Sequence, residues 1–280
     1  MLVTLNDLFK NINKNKVKAY GAFNLHCYEM ILPFFQASKE INIPIIMQIS
    51  TGTAQYIGYK LLADSVKSLS ETSGMDICLH LDHCSKEESI KEAIDSGFSS
   101  VMIDGSSLPI DENIKLTKRV VEFAHSKGVS VEGEIGTIGG NEDGIKANID
   151  ASMYTEPKDA LRFYKETEID AMAISIGTAH GLYKGKANIS FEKLKEIKEL
   201  TNAPLVLHGG TGVSNEDIKK CVEYGINKVN VGTELNATWI EKAKETFQNG
   251  KFSDSLRNLL IPANNSVKEV LLDKIKLISL

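Results

Sequence analysis

One unit of patterning recurs along this chain. A segment with apolar residues at helical spacing closes at a glycine, a short β-branched or apolar run follows, and that run ends in glycine or polar residues. "EAIDSGFSSVMIDGS" has this form, with Gly97 past the helix and a strand at 99–104. "EFAHSKGVSVEGEIG" repeats it at Gly128 and "CVEYGINKVNVGT" at Gly225. Glycine is favoured there because it enters the left-handed conformation that ends helices. Helix starts are marked as well: Ser85 opens "SKEE" and Ser214 opens "SNED", both matches to a capping box. The pattern predicts strands near 19–24, 44–50, 77–82, 100–104, 129–135, 171–176, 204–208 and 228–232, most of them separated by helices.

Strands that alternate with helices pair in parallel through βαβ units. Eight such units in roughly 230 residues fit a single (β/α)8 TIM barrel. An open doubly wound sheet is the competing α/β architecture, and it calls for GxGxxG after the first strand, which "YGAFNLHCYE" lacks. No low-complexity linker divides the chain, so one domain over 1–280 is expected. The tail from about 234 reads as helical, with a break near "LIPANN".

Composition narrows the setting. A formal charge of −5 without a basic cluster argues against a nucleic-acid or membrane surface. The four cysteines form no CxxC, and the N-terminus lacks the apolar core of a signal peptide, so a reducing cytoplasmic location is expected.

The candidate chemistry lies at the strand ends, where barrel enzymes place their active sites. The ends are Asn24, Ser50, Asp82 with His83, Asp104, Glu132 with Glu134, "GTAHG", "LHGGTG" and "NVGTE". Of six histidines, His26 and His125 have no distinguishing context. His83, His180 and His208 end or follow the third, sixth and seventh strands. Three imidazoles converging on a barrel mouth match the three-ligand, open-position arrangement of catalytic zinc. His80 shares a strand face with Asp82 and reads as a supporting group rather than a fourth ligand.

"HGGTG" and "NVGTE" follow the seventh and eighth strands, where barrels commonly bind phosphate through backbone amides. Taken singly, each is also compatible with a plain tight turn. "VEGEIGTIGGNEDG" continues into a long segment, to about 156, that reads as a lid or binding element, or else as a solvated insertion. None of the predicted strands has an interior lysine, since Lys228 only opens the eighth. A Schiff-base mechanism needs a lysine near the barrel centre, so a metal route is favoured.

Together "LHLDHC", "VEGEIGTIGGNEDG", "GTAHGLY", "PLVLHGGTG" and "KVNVGTE" resemble the class II, metal-dependent ketose-bisphosphate aldolases over about 1–270. The resemblance implies a catalytic Zn²⁺ on His83, His180 and His208. It implies Asp82 as the acid/base at the substrate's C4 hydroxyl and Glu142 as the group exchanging the dihydroxyacetone phosphate proton. Asp104 and Glu134 match residues that orient the site or take up a displaced metal ion. Gly181, Gly209, Gly210, Thr211, Asn230, Val231, Gly232 and Thr233 would hold phosphate, with a monovalent cation (Na⁺ or K⁺) nearby, and Asn24 and Ser50 join the substrate contacts. A homodimer or homotetramer acting on a sugar phosphate is expected.

Which sugar is less sharply marked. "GTAHGLY" and "NVGTE" are closer to the tagatose-bisphosphate branch, and "HGGTG" is similar to fructose-bisphosphate members. Many fructose-cleaving relatives have an arginine near the C-terminus where this chain has Asn264. The alternatives are a 6-phospho-5-dehydro-2-deoxygluconate aldolase of inositol breakdown and a non-catalytic barrel that partners an aldolase. A barrel hydrolase would show H-x-H on the first strand, which "AFNLHC" does not.

Overall fold

The computed structural model describes residues 1–142, 145–147, 154–181, 187–251 and 255–280, with the side chains of 140–142 and 145–147 outside the description. The chain begins with helices α1 (Leu5–Lys10) and α2 (Ile12–Asn15), then β1 (Tyr20–Asn24), α3 (Ile31–Ile41) and β2 (Ile45–Ser50). It continues through α4 (Thr51–Ile57), α5 (Tyr59–Ser73), β3 (Ile77–Cys84), α6 (Glu87–Ser96), β4 (Ser100–Ile103) and α7 (Ile110–Ser126). Next come β5 (Ser130–Ile135), β6 (Gly139–Glu142), β7 (Ile145–Ala147), α8 (Pro157–Thr167), β8 (Ala171–Ile174), β9 (Ala179–His180) and α9 (Phe191–Thr201). The last elements are β10 (Leu205–Leu207), α10 (Asn215–Glu223), β11 (Ile226–Val231), α11 (Thr233–Asn249) and α12 (Leu256–Ser279).

Among the described residues, eight parallel strands close a barrel in the order β1-β11-β10-β8-β5-β4-β3-β2. Each predicted strand is present within a few residues of its expected span. The longer helices ring the barrel because they carry an apolar stripe. In α7, Ile114, Val120, Val121 and Ala124 are buried, a spacing that keeps one face on the sheet. Gly97 closes α6 in the left-handed conformation (φ 110°), as its position in the sequence implied.

One capping expectation holds and two other expectations are corrected. Ser214 does cap α10, accepting from the Asp217 amide. Ser85 does not cap α6, because β3 runs on through Cys84 and the helix begins two residues beyond Ser85, with Lys86 at the cap position. The C-terminal tail breaks between α11 and α12, not at "LIPANN": Pro262 lies inside α12. A buried stripe of Ala263, Val267, Leu271, Ile275 and Ile278 holds that helix to the body, which offsets the proline's cost of about 3 kcal/mol in a helix interior.

A second, three-stranded sheet (β7-β6-β9) stands apart from the barrel. It pairs Gly139 with Ala179 and Gly140 with His180. The glycine-rich segment after β5 is thereby fastened beside a strand-end histidine. No helix among the described residues is long and apolar enough to cross a membrane.

Candidate active site

Successive strand residues point to opposite faces, so Asp82 and His83 should not both reach the barrel mouth. They do, and both line one cleft of about 650 Å³. The pairing of β3 with β4 shifts register between Leu81 and Cys84, and His83 takes φ 43°. A non-glycine residue in that region is uncommon, and such strain concentrates at functional sites. Here it turns the imidazole to the same side as the carboxylate before it.

His83 then meets the histidines of two other elements. Its Nε2 is 2.8 Å from His208 Nδ1, and His180 Nε2 is 3.4 Å from that same atom. The outer nitrogens of two of these rings each face a carboxylate. His208 Nε2 lies 2.9 Å from Glu132 Oε1 and His83 Nδ1 lies 3.0 Å from Asp104 Oδ2. A carboxylate accepts, so each of these nitrogens donates. The inner nitrogens of His83 and His208 then face one another at 2.8 Å, with donor and acceptor set by the tautomer, and a cation held by neutral rings would be shared by both. Burial pushes His180 and His208 well below the usual imidazole range, and the neighbouring His83 adds to the effect. Protonation is thus an unfavourable way to supply the cation, whereas a metal ion suits neutral imidazoles backed by carboxylates. The three ligand atoms lie within 4.8 Å of one another. The donor set fits a divalent metal.

His83, Asp104 and Glu134 form a second group with metal-ligand spacing. Burial opposes ionisation of Asp104, but hydrogen bonds from His83 and from the hydroxyl and amide of Ser106 outweigh it and hold the carboxyl well below its usual range. Glu134 behaves oppositely. Burial, reinforced by the charge of Asp104, raises it well above the usual range. Two adjacent carboxyls with opposite proton preferences are thus set side by side.

Asp82 is held from behind. Gln48 Nε2 donates to Asn24 Oδ1 at 2.8 Å, and Asn24 Nδ2 donates to Asp82 Oδ2 at 2.9 Å. Among the described residues, Oδ1 of Asp82 is buried with no hydrogen-bond partner. One carboxylate oxygen is fixed and the other is free to accept.

A small cavity of about 20 Å³ adjoins the histidines, lined by Asn24, His180, Gly181, Gly209, Thr211, Asn230, Gly232 and Thr233. It sits at the start of α11, whose first amides favour an anion. Gly209 (φ 69°) is required there, since a Cβ would lie 2.2 Å from the Ala179 carbonyl. Gly210 opens the 3-10 turn behind this cavity, and Val231 is buried in the hydrophobic core, so neither side lines it. Ser50 lines the larger cleft and caps α4. Glu142 ends β6, and its side chain lies outside the described residues, as do Asp143 and Gly144 altogether.

Two readings of single residues change. Lys228 is an interior residue, because β11 begins at Ile226; it is fully buried with its Nζ 2.9 Å from Glu132 Oε2 across the barrel. It stands beneath the histidines as part of an ion pair. His26, without context in the sequence, lines the cleft with its Nε2 3.3 Å from the Gly232 carbonyl. His125 pairs with Asp170 at 2.8 Å, away from the cleft. Asn264 accepts from Trp239 Nε1 at 3.0 Å and lines a separate groove with Tyr28 and Arg257.

Residues 3–279 match the model of the family described as fructose-bisphosphate aldolase class II. The chain belongs to this family. It is 40% identical over 278 residues to a fructose-bisphosphate aldolase of Staphylococcus aureus (strain Mu50), covering 98% of this chain and 96% of the relative. The same identity and coverage hold for a probable fructose-bisphosphate aldolase of Bacillus subtilis (strain 168). Among solved structures, the YdjI aldolase of Escherichia coli K12 superposes with a TM-score of 0.86 at 30% identity, over 99% of this chain and 97% of that one. As a class II aldolase the protein is a carbon–carbon lyase of a metal-dependent family that acts on sugar phosphates. Its barrel matches that of the aldolase neighbours, and a C-terminal helix, α12, is present.

Proposed function

We propose that the cleft cleaves, and in reverse assembles, a ketose 1,6-bisphosphate, fructose or tagatose, with dihydroxyacetone phosphate and glyceraldehyde 3-phosphate as the two halves. The observation that carries this reading is the convergence of ring nitrogens from His83, His180 and His208 beside Asp82, whose Oδ1 has no partner among the described residues. His83, His180 and His208 would hold Zn²⁺. When bound, the ion acts as a Lewis acid on the ketose carbonyl, an effect worth several kcal/mol.

Asp82 takes the C4 hydroxyl proton through Oδ1 while Asn24 keeps Oδ2 in place, and loss of that proton drives C3–C4 cleavage. Gly181, Gly209, Thr211, Asn230, Gly232 and Thr233 hold the C1 phosphate through amides and hydroxyls at the start of α11, with Na⁺ or K⁺ beside it, while Gly210 and Val231 support the backbone that carries them. Glu142 returns a proton to C3 of the dihydroxyacetone phosphate half. Asp104 and Glu134 orient His83 and offer a second position for a displaced ion. Ser50, on the wall of the larger cleft, joins the substrate contacts. The enzyme works in the cytoplasm as a homodimer or homotetramer.

The test is a coupled cleavage assay with fructose and tagatose 1,6-bisphosphates side by side, alongside metal analysis of the same preparation. Turnover of at least one bisphosphate with one divalent ion per chain supports the reading. Failure on both sugars in a fully metallated preparation contradicts it.

A further inference from the structure

Beneath the histidines lies a polar cluster sealed inside the barrel. Lys228, Glu132 and His80 are all fully buried. Lys228 Nζ is 2.9 Å from Glu132 Oε2 and donates to Asn230 Oδ1 at 2.8 Å. Glu132 Oε1 in turn accepts from His208 Nε2 at 2.9 Å. The Lys228–Glu132 contact is a charge contact outside hydrogen-bond angles, so the ammonium neutralises Oε2 without a directed bond to it. His80 closes the remaining side, its Nδ1 2.8 Å from Ser100 Oγ and its Nε2 3.7 Å from Glu132 Oε2.

A buried ion pair is a poor source of stability, because desolvation of both charges offsets their attraction. What this pair does have is position. β5, which carries Glu132, and β11, which carries Lys228, are separated in the barrel by β8 and β10. The two side chains therefore meet across the barrel interior, and each reaches a different part of the site. Glu132 fixes the tautomer and ring plane of His208. Lys228 donates to the Asn230 side-chain carbonyl, and Asn230 lines the small cavity.

Resting on the reading of His83, His180 and His208 as metal ligands, we infer that Lys228 is a positioning residue that sets the metal histidine and the phosphate-side asparagine together. Its Nζ holds Glu132 in place against His208 and holds the Asn230 side chain beside the small cavity. Its role is in geometry, without contact with substrate.

The experiment compares wild type, His208→Ala, Lys228→Met, Lys228→Arg and the double variant Glu132→Gln with Lys228→Met. Folding is followed by circular dichroism, metal dissociation by chelator competition, and ligand geometry by the Co²⁺ absorption spectrum. KM for the bisphosphate is measured at saturating metal. Groups that orient a metal ligand typically change metal affinity by about 10–100-fold. Lys228→Met should therefore weaken metal binding by about that factor, alter the Co²⁺ spectrum and raise KM, with partial recovery in Lys228→Arg. The double variant leaves no unpaired buried charge. If Lys228→Met does not fold, the double variant should still show the weakened metal site and the raised KM.

A folded variant with wild-type metal affinity and Co²⁺ spectrum overturns the inference, and so does a change in metal binding or KM alone. Failure of the underlying site reading looks different: wild type binds no stoichiometric metal, or His208→Ala binds it as wild type does.

Discussion

Asp82 and His83 are consecutive in sequence yet face the same cleft, because His83 adopts φ 43° where β3 slips against β4. The base and the metal-binding imidazole are thereby held by one short stretch of backbone. Their functions should nevertheless separate by mutation. His208→Ala should lose metal and turnover together. Asp82→Ala should keep its metal and lose about 10²–10⁴-fold in rate, the usual contribution of a general base. Near wild-type cleavage by Asp82→Ala would remove it as the base.

Asp82 depends on Asn24, and Asn24 has no room to move. A Cβ at Gly232 would stand 2.5 Å from Asn24 Oδ1. Gly232→Ala should displace the asparagine and free the carboxylate it holds. Hydrogen bonds to charged groups are worth about 1.5–3 kcal/mol, so kcat should fall roughly tenfold to a hundredfold with metal content unchanged. An unchanged kcat would show that the Gln48–Asn24–Asp82 chain does not govern the base.

Two glycines in the left-handed region provide a matched pair. Gly209→Ala would press on the Ala179 carbonyl at 2.2 Å, next to His180, whereas a Cβ at Gly128 meets nothing within 4 Å. Both substitutions should cost about 1–3 kcal/mol from backbone strain. Chelator competition should show weaker metal binding for Gly209→Ala alone. Equal metal affinities in the two variants would separate the His180 position from the turn at Gly209.

The strands and their chemically loaded ends are legible in the sequence because period, helix-ending glycines and strand-end polar residues coincide. Contacts across the barrel are not. Glu132 reads only as one of two alternating acids until His208 and Lys228 are seen on either side of it. Lys228 reads as the start of a strand, since a lysine inside an apolar run is costly unless paired, and its partner is far away in sequence. The bend at His83 is invisible for a similar reason: local propensity favours strand alternation, and the register slip depends on β4. Pro262 reads as a helix break because its compensation, the stripe from Ala263 to Ile278, lies in tertiary packing.

Glu142 follows Gly139 and Gly140 on β6, which is tied to His180 through the pairing with β9. Its assigned step is proton exchange on dihydroxyacetone phosphate, separate from bond cleavage. Glu142→Ala should bind dihydroxyacetone phosphate nearly as wild type does, because the histidines and the glycine cavity are untouched. It should lose most detritiation of the labelled compound. Wild-type exchange would transfer the role to another acid, with Glu134 the next candidate, and a large loss of affinity would make Glu142 a binding residue.

The central claim is that carbon–carbon cleavage here runs through a metal on His83, His180 and His208 and not through a lysine imine. Lys228, buried against Glu132, is poorly placed for the latter. The most direct measurement follows bisphosphate cleavage through exhaustive chelation, metal restoration and borohydride treatment in the presence of substrate. The predicted result is loss of activity on chelation, recovery with Zn²⁺ or Co²⁺, and no inactivation by borohydride. Activity that survives complete metal removal, or that borohydride abolishes with substrate bound, would contradict it.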